Sequence, residues 1–222
     1  MIHALLCDDH LIVREGLKQV LAEDANVRVV AEASSAEEML AQVLPLRERG
    51  QLDVVLLDIA LPGQDGLGAL QALRASWPDL PVLILSTYPE RQYAVRCIQL
   101  GAAGYLHKST DPDTMLAAVR KAAAGERHLS DATAQALAEA FERTKSGRGA
   151  RPSGAAGVDQ LSHREHQVYR LLIQGHSVSE IGAELGLASN TVSTYRARIL
   201  EKTGARNDVE LALLSRRDVP AA

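Results

Sequence analysis

The chain has 222 residues, of which 46% are hydrophobic and 3% aromatic, and it carries a formal net charge of -4 at pH 7. This length suits one large domain or two modest ones, and the few aromatic residues predict a core built from aliphatic side chains. The sequence has no apolar run near the ~20 residues of a membrane-spanning helix, and no charged N-terminal segment followed by a cleavable apolar one. We therefore expect a cytoplasmic protein without a membrane partner.

The charge is unevenly distributed along the chain. From Leu161 onward there are eight Lys/Arg and seven Asp/Glu, which leaves 16 basic and 21 acidic residues in the first 160 positions. The front of the chain therefore has a net charge of -5 and the back +1, which is a hint of two parts with separate tasks.

The spacing of the two cysteines bears on metal binding and on disulfide formation. Cys7 and Cys97 lie far apart and form no Cys-x-x-Cys motif. Such spacing argues against a cysteine metal site and against a disulfide framework. We expect two buried free thiols.

The first 125 residues alternate between apolar strand patterns and helical spacing. Predicted strands cover 2–7, 27–33, 54–57, 81–85 and 103–106, and predicted helices cover 12–22, 36–49, 66–76, 91–100 and 111–124. Five strands that alternate with five helices predict an α/β fold, a doubly wound five-stranded parallel sheet of the flavodoxin-like type. Right-handed crossovers bring the ends of the first, third and fourth strands to one edge of that sheet.

Asp58 ends the third predicted strand. The preceding run Val54–Leu57 is short and uniformly apolar, which is typical of a strand buried on both faces. Pro62, Gly63 and Gly66 then predict a turn out of the sheet. Ligand sites in open α/β folds lie in this crevice, so we place the chemistry at Asp58. An alternative is that Asp58 only caps the next turn or helix.

Other strand ends carry complementary residues. Asp8 and Asp9 follow the first strand, Ser86 ends the fourth and Lys108 follows the fifth. Carboxylates gathered in one crevice raise each other's pKa unless a cation joins them, and Mg²⁺ with its oxygen ligands would resolve the conflict. A hydroxyl and an ammonium group beside Asp58 would serve the oxygens of a transferred phosphoryl group.

Together these residues resemble the receiver domain of bacterial two-component response regulators, over about residues 1–125. The matching features are Asp8-Asp9, Asp58 with Pro62 and Gly66, Ser86, and Lys108 preceded by Gly101–Leu106. The resemblance implies that Asp58 accepts a phosphoryl group from a sensor histidine kinase. The implied Mg²⁺ ligands are Asp9, Asp58 and the carbonyl of Ala60, supported by Asp8. The implied phosphoryl contacts are Ser86 and Lys108, and Tyr105 is the aromatic residue that reorients on activation.

After Gly125 the pattern changes. The segment Asp131–Lys145 has helical spacing, and residues 146–157 have the composition of a flexible linker. We therefore predict a receiver domain over 1–125, a helical and flexible linker over 126–159, and an all-α helix-turn-helix domain over 160–222.

The predicted C-terminal helices are 162–174, 177–185 and 189–203. Ser162 and Glu165 form a capping box at the first of them. The last two helices, joined by Gly186-Leu187-Ala188, form a helix-turn-helix whose second helix would enter a major groove of DNA. An ordinary small helical bundle is the alternative.

The residues of the second helix suit DNA binding. We predict that Val192, Ile199 and Leu200 pack inward. Ser189 and Asn190 would cap the helix and meet backbone phosphate. The candidates that face DNA are Ser193, Thr194, Arg196 and Ala197, and the candidates for phosphate contacts are Arg198 and Lys202.

The string Leu161-Ser162-x-Arg164-Glu165-x-x-Val168, with Gly175-x-Ser177, Glu180-Ile181 and Thr191-Val192, resembles the LuxR-type DNA-binding domain over residues 160–217. A receiver joined to it resembles the NarL/FixJ family of transcriptional regulators. Ser193 and Tyr195 depart from the Lys and His frequent in relatives. The resemblance implies phosphorylation-driven promoter binding and a homodimer formed on phosphorylation through 207–217. RNA polymerase is a further candidate partner.

Two other functions stay open. An aspartyl-phosphate phosphatase also uses a strand-end Asp, but it needs a second acid where this chain has Ala60. A receiver that acts without phosphate, as an interaction platform, is the other. The family resemblance implies no enzyme beyond a phosphoacceptor with self-phosphorylation and autodephosphorylation chemistry.

Overall fold

The structure is a computed structural model that describes residues 1–61, 66–88, 90–145, 158 and 161–217. Within them, residues 91, 92, 142–145, 163 and 215–217 are described by their backbone only. The chain divides into two compact units between residues 146 and 147. The predicted turn at Pro62 and Gly63 and the predicted flexible linker over 146–157 lie outside the described residues.

The first unit contains a five-stranded sheet in the order β2-β1-β3-β4-β5, with every pair of neighbours parallel. The strands are β1 (Ile2–Cys7), β2 (Val27–Ala33), β3 (Val54–Asp58), β4 (Val82–Ser86) and β5 (Gly104–His107). All residues of β3 and β4 are buried, because helices cover both faces of the central strands. The structure confirms the predicted doubly wound parallel sheet.

Five helices cover the two faces of the sheet. They are α1 (Leu11–Ala22), α2 (Ala36–Glu48), α3 (Gly66–Ser76), α4 (Glu90–Gln99) and α5 (Pro112–Ala123). On one face α2, α3 and α4 pack on alternate residues of the strands such as Val55 and Leu57. On the other face α1 and α5 pack on Val54 and Leu56. The predicted free thiols Cys7 and Cys97 are both buried and unpaired.

A sixth helix, α6 (Asp131–Lys145), belongs to this first unit. It contacts α4, and Leu137 packs against the core on that face. Ahead of it, the His128 N–H donates to the Ala103 carbonyl at 2.8 Å, and His128 forms a parallel bridge with Gly104. The compact unit thus extends past residue 125, where the change of sequence pattern suggested a boundary.

The second unit contains four helices within its described residues, α7 (His163–Ile173), α8 (Val178–Leu185), α9 (Ser189–Thr203) and α10 (Asp208–Arg217). Capping boxes begin α7 and α8, and Gly186 ends α8 with a φ of 64°, a conformation that suits glycine. Buried aliphatic side chains from all four helices form one core. The described part of the chain has no helix long and apolar enough to cross a bilayer.

Candidate functional site

Asp58 is the last residue of β3 and is fully buried. Its Oδ1 accepts the Ala60 N–H at 3.0 Å, which is the local turn contact of the capping alternative. Its Oδ2 accepts from Lys108 Nζ at 2.8 Å, so the carboxylate also serves a tertiary contact. Burial raises the pKa of Asp58, and the Lys108 ammonium and the Ala60 N–H oppose that rise.

Lys108 joins two buried carboxylates. Its Nζ lies 2.6 Å from Asp8 Oδ2 and 2.8 Å from Asp58 Oδ2, and only 11% of its side chain is exposed. Burial alone would lower the pKa of Lys108, but attraction to Asp58 and Asp8 outweighs it and raises the pKa. One ammonium therefore faces two carboxylates, which favours the binding of further positive charge at this edge.

The β1–α1 loop completes an acidic cluster. The His10 N–H donates to Asp8 Oδ1 at 2.9 Å, and His10 Nδ1 lies 2.7 Å from Asp9 Oδ1. Ligand atoms of Asp8, Asp9, His10 and Asp58 all lie within 4.8 Å of one another. Within the described residues Asp8 Oδ2 and Asp9 Oδ1 are buried without a hydrogen bond, although cationic or ring nitrogens approach them. This cluster is typical of a Mg²⁺ site, and its carboxylate donors fit that ion.

Ser86 and Tyr105 both form hydrogen bonds with the backbone of Tyr88. The Tyr88 N–H donates to Ser86 Oγ at 3.0 Å, and the Tyr105 hydroxyl donates to the Tyr88 carbonyl at 2.9 Å. Tyr105 is buried, and burial raises its pKa although the Ser86 hydroxyl opposes the rise. Ser86 at the end of β4 and Tyr105 in β5 are therefore both connected to the loop that follows β4. The sequence could not show this, because backbone groups carry no residue signal.

Gly66 holds the start of α3 against the end of β3. A Cβ built on Gly66 would lie 2.3 Å from the Asp58 carbonyl oxygen and 2.4 Å from Ile59 Cα. Its N–H donates to the Ile59 carbonyl at 3.3 Å. Only glycine allows this approach of two backbones, so Gly66 helps to position Asp58.

The predicted DNA-facing residues lie along the exposed side of α9, while Val192 and Ile199 are buried and Leu200 packs against the core. The exposed candidates are Ser189, Asn190, Ser193, Thr194, Ala197, Arg198 and Lys202, and Arg196 is half-buried. Asn190, Thr194 and Arg198 help to line a concave patch of about 240 Å³ on this helix.

The predicted cap of α9 was wrong. Ala188 is the N-cap residue and makes no side-chain cap bond, so Ser189 and Asn190 are already helical. The Asn190 side chain instead accepts the Thr191 N–H at 2.8 Å.

Two of the predicted DNA-contacting cations form ion pairs inside the second unit. Arg196 Nε lies 2.8 Å from Asp208 Oδ1, and Lys202 Nζ lies 2.6 Å from Glu165 Oε2. These pairs attach α9 to α10 and α7, and no local sequence pattern indicates them. Arg198 has no ion pair among the described residues.

Both units match known families. The model described as "Response regulator receiver domain" matches residues 4–120, and "Bacterial regulatory proteins, luxR family" matches residues 159–215. The response regulator GacA of Pseudomonas aeruginosa is 37% identical over 218 residues, covering 98% of this chain and 96% of GacA. UvrY of Escherichia coli K12 is 33% identical over 220 residues, covering 98% of this chain and 94% of UvrY.

A solved structure of RcsB from Salmonella enterica serovar Typhimurium, bound to promoter rprA with the phosphomimetic BeF3-, shares the fold. It has a TM-score of 0.55 at 22% identity and covers 96% of this chain and 97% of that one. The chain therefore belongs to the response regulators in which a receiver domain precedes a LuxR-family DNA-binding domain.

Proposed function

We propose that Asp58 accepts a phosphoryl group from a sensor histidine kinase and that this modification controls promoter binding by α9. The observation that carries the proposal is the Asp58 carboxylate, buried at the end of the central strand and bound to Lys108 at 2.8 Å. An Asp58 oxygen attacks the phosphorus of the phosphohistidine, the P–N bond breaks and an acyl phosphate forms. Transfer of this kind depends chiefly on positioning and charge neutralisation.

The residues around Asp58 would neutralise the added charge. Lys108 is already held beside Asp58 and Asp8, so it can pair with a phosphoryl oxygen without a large rearrangement. Asp9, Asp58 and the Ala60 carbonyl would hold Mg²⁺, with Asp8 in support, and the ion would supply charge neutralisation for phosphoryl oxygens. Asp8 pairs with Lys108 as well, so it orients the ammonium toward the reacting carboxylate.

Ser86 and Tyr105 would convert phosphorylation into a structural change. The Ser86 hydroxyl accepts from the Tyr88 N–H, and its own proton can be donated to a phosphoryl oxygen. A Ser86 side chain drawn toward the phosphoryl group would release the Tyr88 amide, and Tyr105 would lose its partner at the Tyr88 carbonyl. The loop that begins α4 is thus the element with two arrangements that a switch requires.

The second unit would bind promoter DNA through the exposed face of α9. Arg198, Ser193 and Thr194 lie on that face, and the related RcsB is described as bound to promoter DNA. A single recognition helix reads few base pairs, so a homodimer on two half-sites supplies useful specificity. Val209 and Leu213, one turn apart on α10 and mostly exposed, form an apolar strip suited to that pairing. RNA polymerase would be the next partner at a promoter.

Phosphodonor dependence tests the proposal. The full-length protein would be incubated with Mg²⁺ and acetyl phosphate, and covalent phosphate and binding to promoter DNA fragments would be measured. Asp58→Asn should abolish labelling and the gain in DNA binding. Asp53→Asn is the matched control, since Asp53 lies five residues earlier, where it binds His3. A DNA affinity that changes neither with acetyl phosphate nor with Asp58→Asn would refute the proposed switch.

A further inference from the structure

His10 is the one residue of the acidic cluster whose potential ligand is a nitrogen atom. Its Nδ1 lies 2.7 Å from Asp9 Oδ1 and 3.5 Å from Asp8 Oδ1. These separations match neighbouring donors around one cation, which lie about 3 Å apart when each bond is about 2.1 Å. The imidazole therefore lies at distances from Asp8 and Asp9 that an additional ligand of the same cation would have.

The size of the whole cluster supports this geometry. Ligand atoms of His10, Asp8, Asp9 and Asp58 lie within 4.8 Å of one another, against about 4.2 Å between opposite donors when each bond is about 2.1 Å. Small adjustments of the side chains would bring all four donors around a single cation. The His10 side chain is 65% exposed, so its ring can adjust to a cation without disturbing the core.

The main chain fixes His10 in this position. The His10 N–H donates to Asp8 Oδ1 at 2.9 Å, and the His10 carbonyl accepts from the N–H groups of Val13 and Arg14 in the first turn of α1. The side chain therefore leaves the backbone from a defined point beside Asp8 and Asp9. His107, the other histidine near the crevice, instead contacts the Thr87 carbonyl and the Ser109 hydroxyl.

We infer that His10 determines the cation specificity of the proposed metal site. Its imidazole makes the site bind a cation of borderline hardness, such as Co²⁺, more tightly than Mg²⁺. The inference rests on the proposed function, because it assumes the same carboxylate site. Mg²⁺ prefers oxygen donors and keeps several waters, whereas an imidazole strengthens the binding of later first-row ions.

Calorimetry of the untagged full-length protein tests the inference, with Mg²⁺ and Co²⁺ titrated separately. His10→Ala should weaken Co²⁺ binding by about tenfold or more and change the Kd for Mg²⁺ by less than about twofold. The matched control is His176→Ala, which removes a part-exposed imidazole from the second unit and should change neither affinity. A paramagnetically shifted imidazole N–H signal in the proton NMR spectrum of the Co²⁺ complex should vanish in His10→Ala only.

The outcomes separate this inference from the proposal on which it rests. Equal Co²⁺ affinity in wild type and His10→Ala, with Mg²⁺ still bound, would overturn the role of His10 alone. Equal weakening of both ions in His10→Ala would also overturn it, because His10 would then only position Asp8 and Asp9. Absence of binding by either ion to the wild type would overturn the proposed metal site together with the inference.

Discussion

Gly66 has no side chain, and its close contact with the end of β3 helps to determine the position of Asp58. Gly66→Ala would place a methyl group 2.3 Å from the Asp58 carbonyl oxygen, so the backbones must separate. We expect a loss of about 1–3 kcal/mol in the free energy of unfolding and slower labelling of Asp58 by acetyl phosphate. Chemical denaturation and phosphate incorporation measure the two effects.

Gly16 provides the matched control for that substitution. It lies within α1, and a Cβ built there meets no atom within 4 Å. Gly16→Ala should therefore stabilise the protein by about 1 kcal/mol, because alanine has the higher helix propensity. A Gly66→Ala protein as stable and as readily labelled as Gly16→Ala would contradict the steric argument.

Glu165 and Glu180 have the same position in two capping boxes but different surroundings. Burial would raise the pKa of Glu165, but the Lys202 ammonium and the Ser162 N–H hold it below its ordinary value of 4.5. Glu165→Gln keeps the capping oxygen and removes the ion pair, so we expect a loss of about 1 kcal/mol at pH 7. Glu180→Gln should have a smaller effect, since no lysine pairs with Glu180 among the residues that the structure describes. Calorimetry of the full-length variants measures the difference.

The stability that the Glu165 ion pair contributes should depend on pH. A folded-state pKa below the unfolded one means that ionised Glu165 stabilises the fold above about pH 4.5. This contribution disappears as the pH falls through the lower, folded-state pKa. The stability difference between wild type and Glu165→Gln should therefore shrink on acidification below about pH 4.5. A difference that grows instead would show that the Lys202 pair is not its source.

At the scale of elements, α6 is attached to α4 by a polar cluster. The Glu90 carboxylate at the start of α4 accepts hydrogen bonds from the hydroxyl groups of Ser130 and Thr133, and Thr133 is 2% exposed. Ser130 Oγ also accepts the Thr133 N–H at 3.1 Å. Glu90 lies two residues beyond Tyr88, so the movement proposed for that loop would reach the contacts that hold α6.

Removal of the carboxylate tests this connection. Glu90→Ala leaves two hydroxyls without their acceptor and should weaken local stability by about 1–2 kcal/mol. Amide hydrogens of α6 should then exchange about ten times faster, as followed by mass spectrometry. The matched control is Glu126→Ala, because Glu126 is an exposed acidic residue that precedes α6 in the chain. Equal exchange rates in wild type and Glu90→Ala would show that apolar packing alone holds α6.

The elements were predictable from sequence because each had its own local signal. The uniformly apolar run Val54–Leu57 indicated a central strand, and Ser162 with Glu165 indicated a helix start. The gathering of Asp8, Asp58 and Lys108 followed from the topology of parallel sheets, since strand ends share an edge.

The missed contacts are long-range or involve the backbone. Arg196 and Lys202 have the spacing of exposed helix residues, and only tertiary packing brings Asp208 and Glu165 to them. The Tyr88 backbone groups that bind Ser86 and Tyr105 have no sequence signature at all. The packing of α6 against α4 could not be predicted either, because the composition of α6 resembles that of a connecting helix.

At the scale of the whole molecule, the two ion pairs predict which cations of α9 would bind DNA phosphates in the proposed function. Arg198 lacks an ion pair among the described residues, whereas Lys202 is held by Glu165. Arg198→Ala should weaken DNA binding and reduce the salt dependence of log K by about 0.9, as expected for one phosphate contact. Lys202→Ala should leave that slope nearly unchanged. Binding isotherms at several salt concentrations distinguish the two, and equal slopes for both variants would contradict the assignment.

The contact between His128 and β5 also determines where this chain can be cut. A fragment that ends at Gly125 keeps Asp58 and its neighbours, yet it uncovers the outer edge of β5 and the surface that Leu137 covers. Unpaired strand edges beside apolar surface recruit other chains, so this fragment should aggregate at concentrations where one ending at Lys145 stays monomeric. We therefore expect the shortest well-behaved receiver fragment to be determined by the residues that cover β5 and the neighbouring apolar surface rather than by its chemistry.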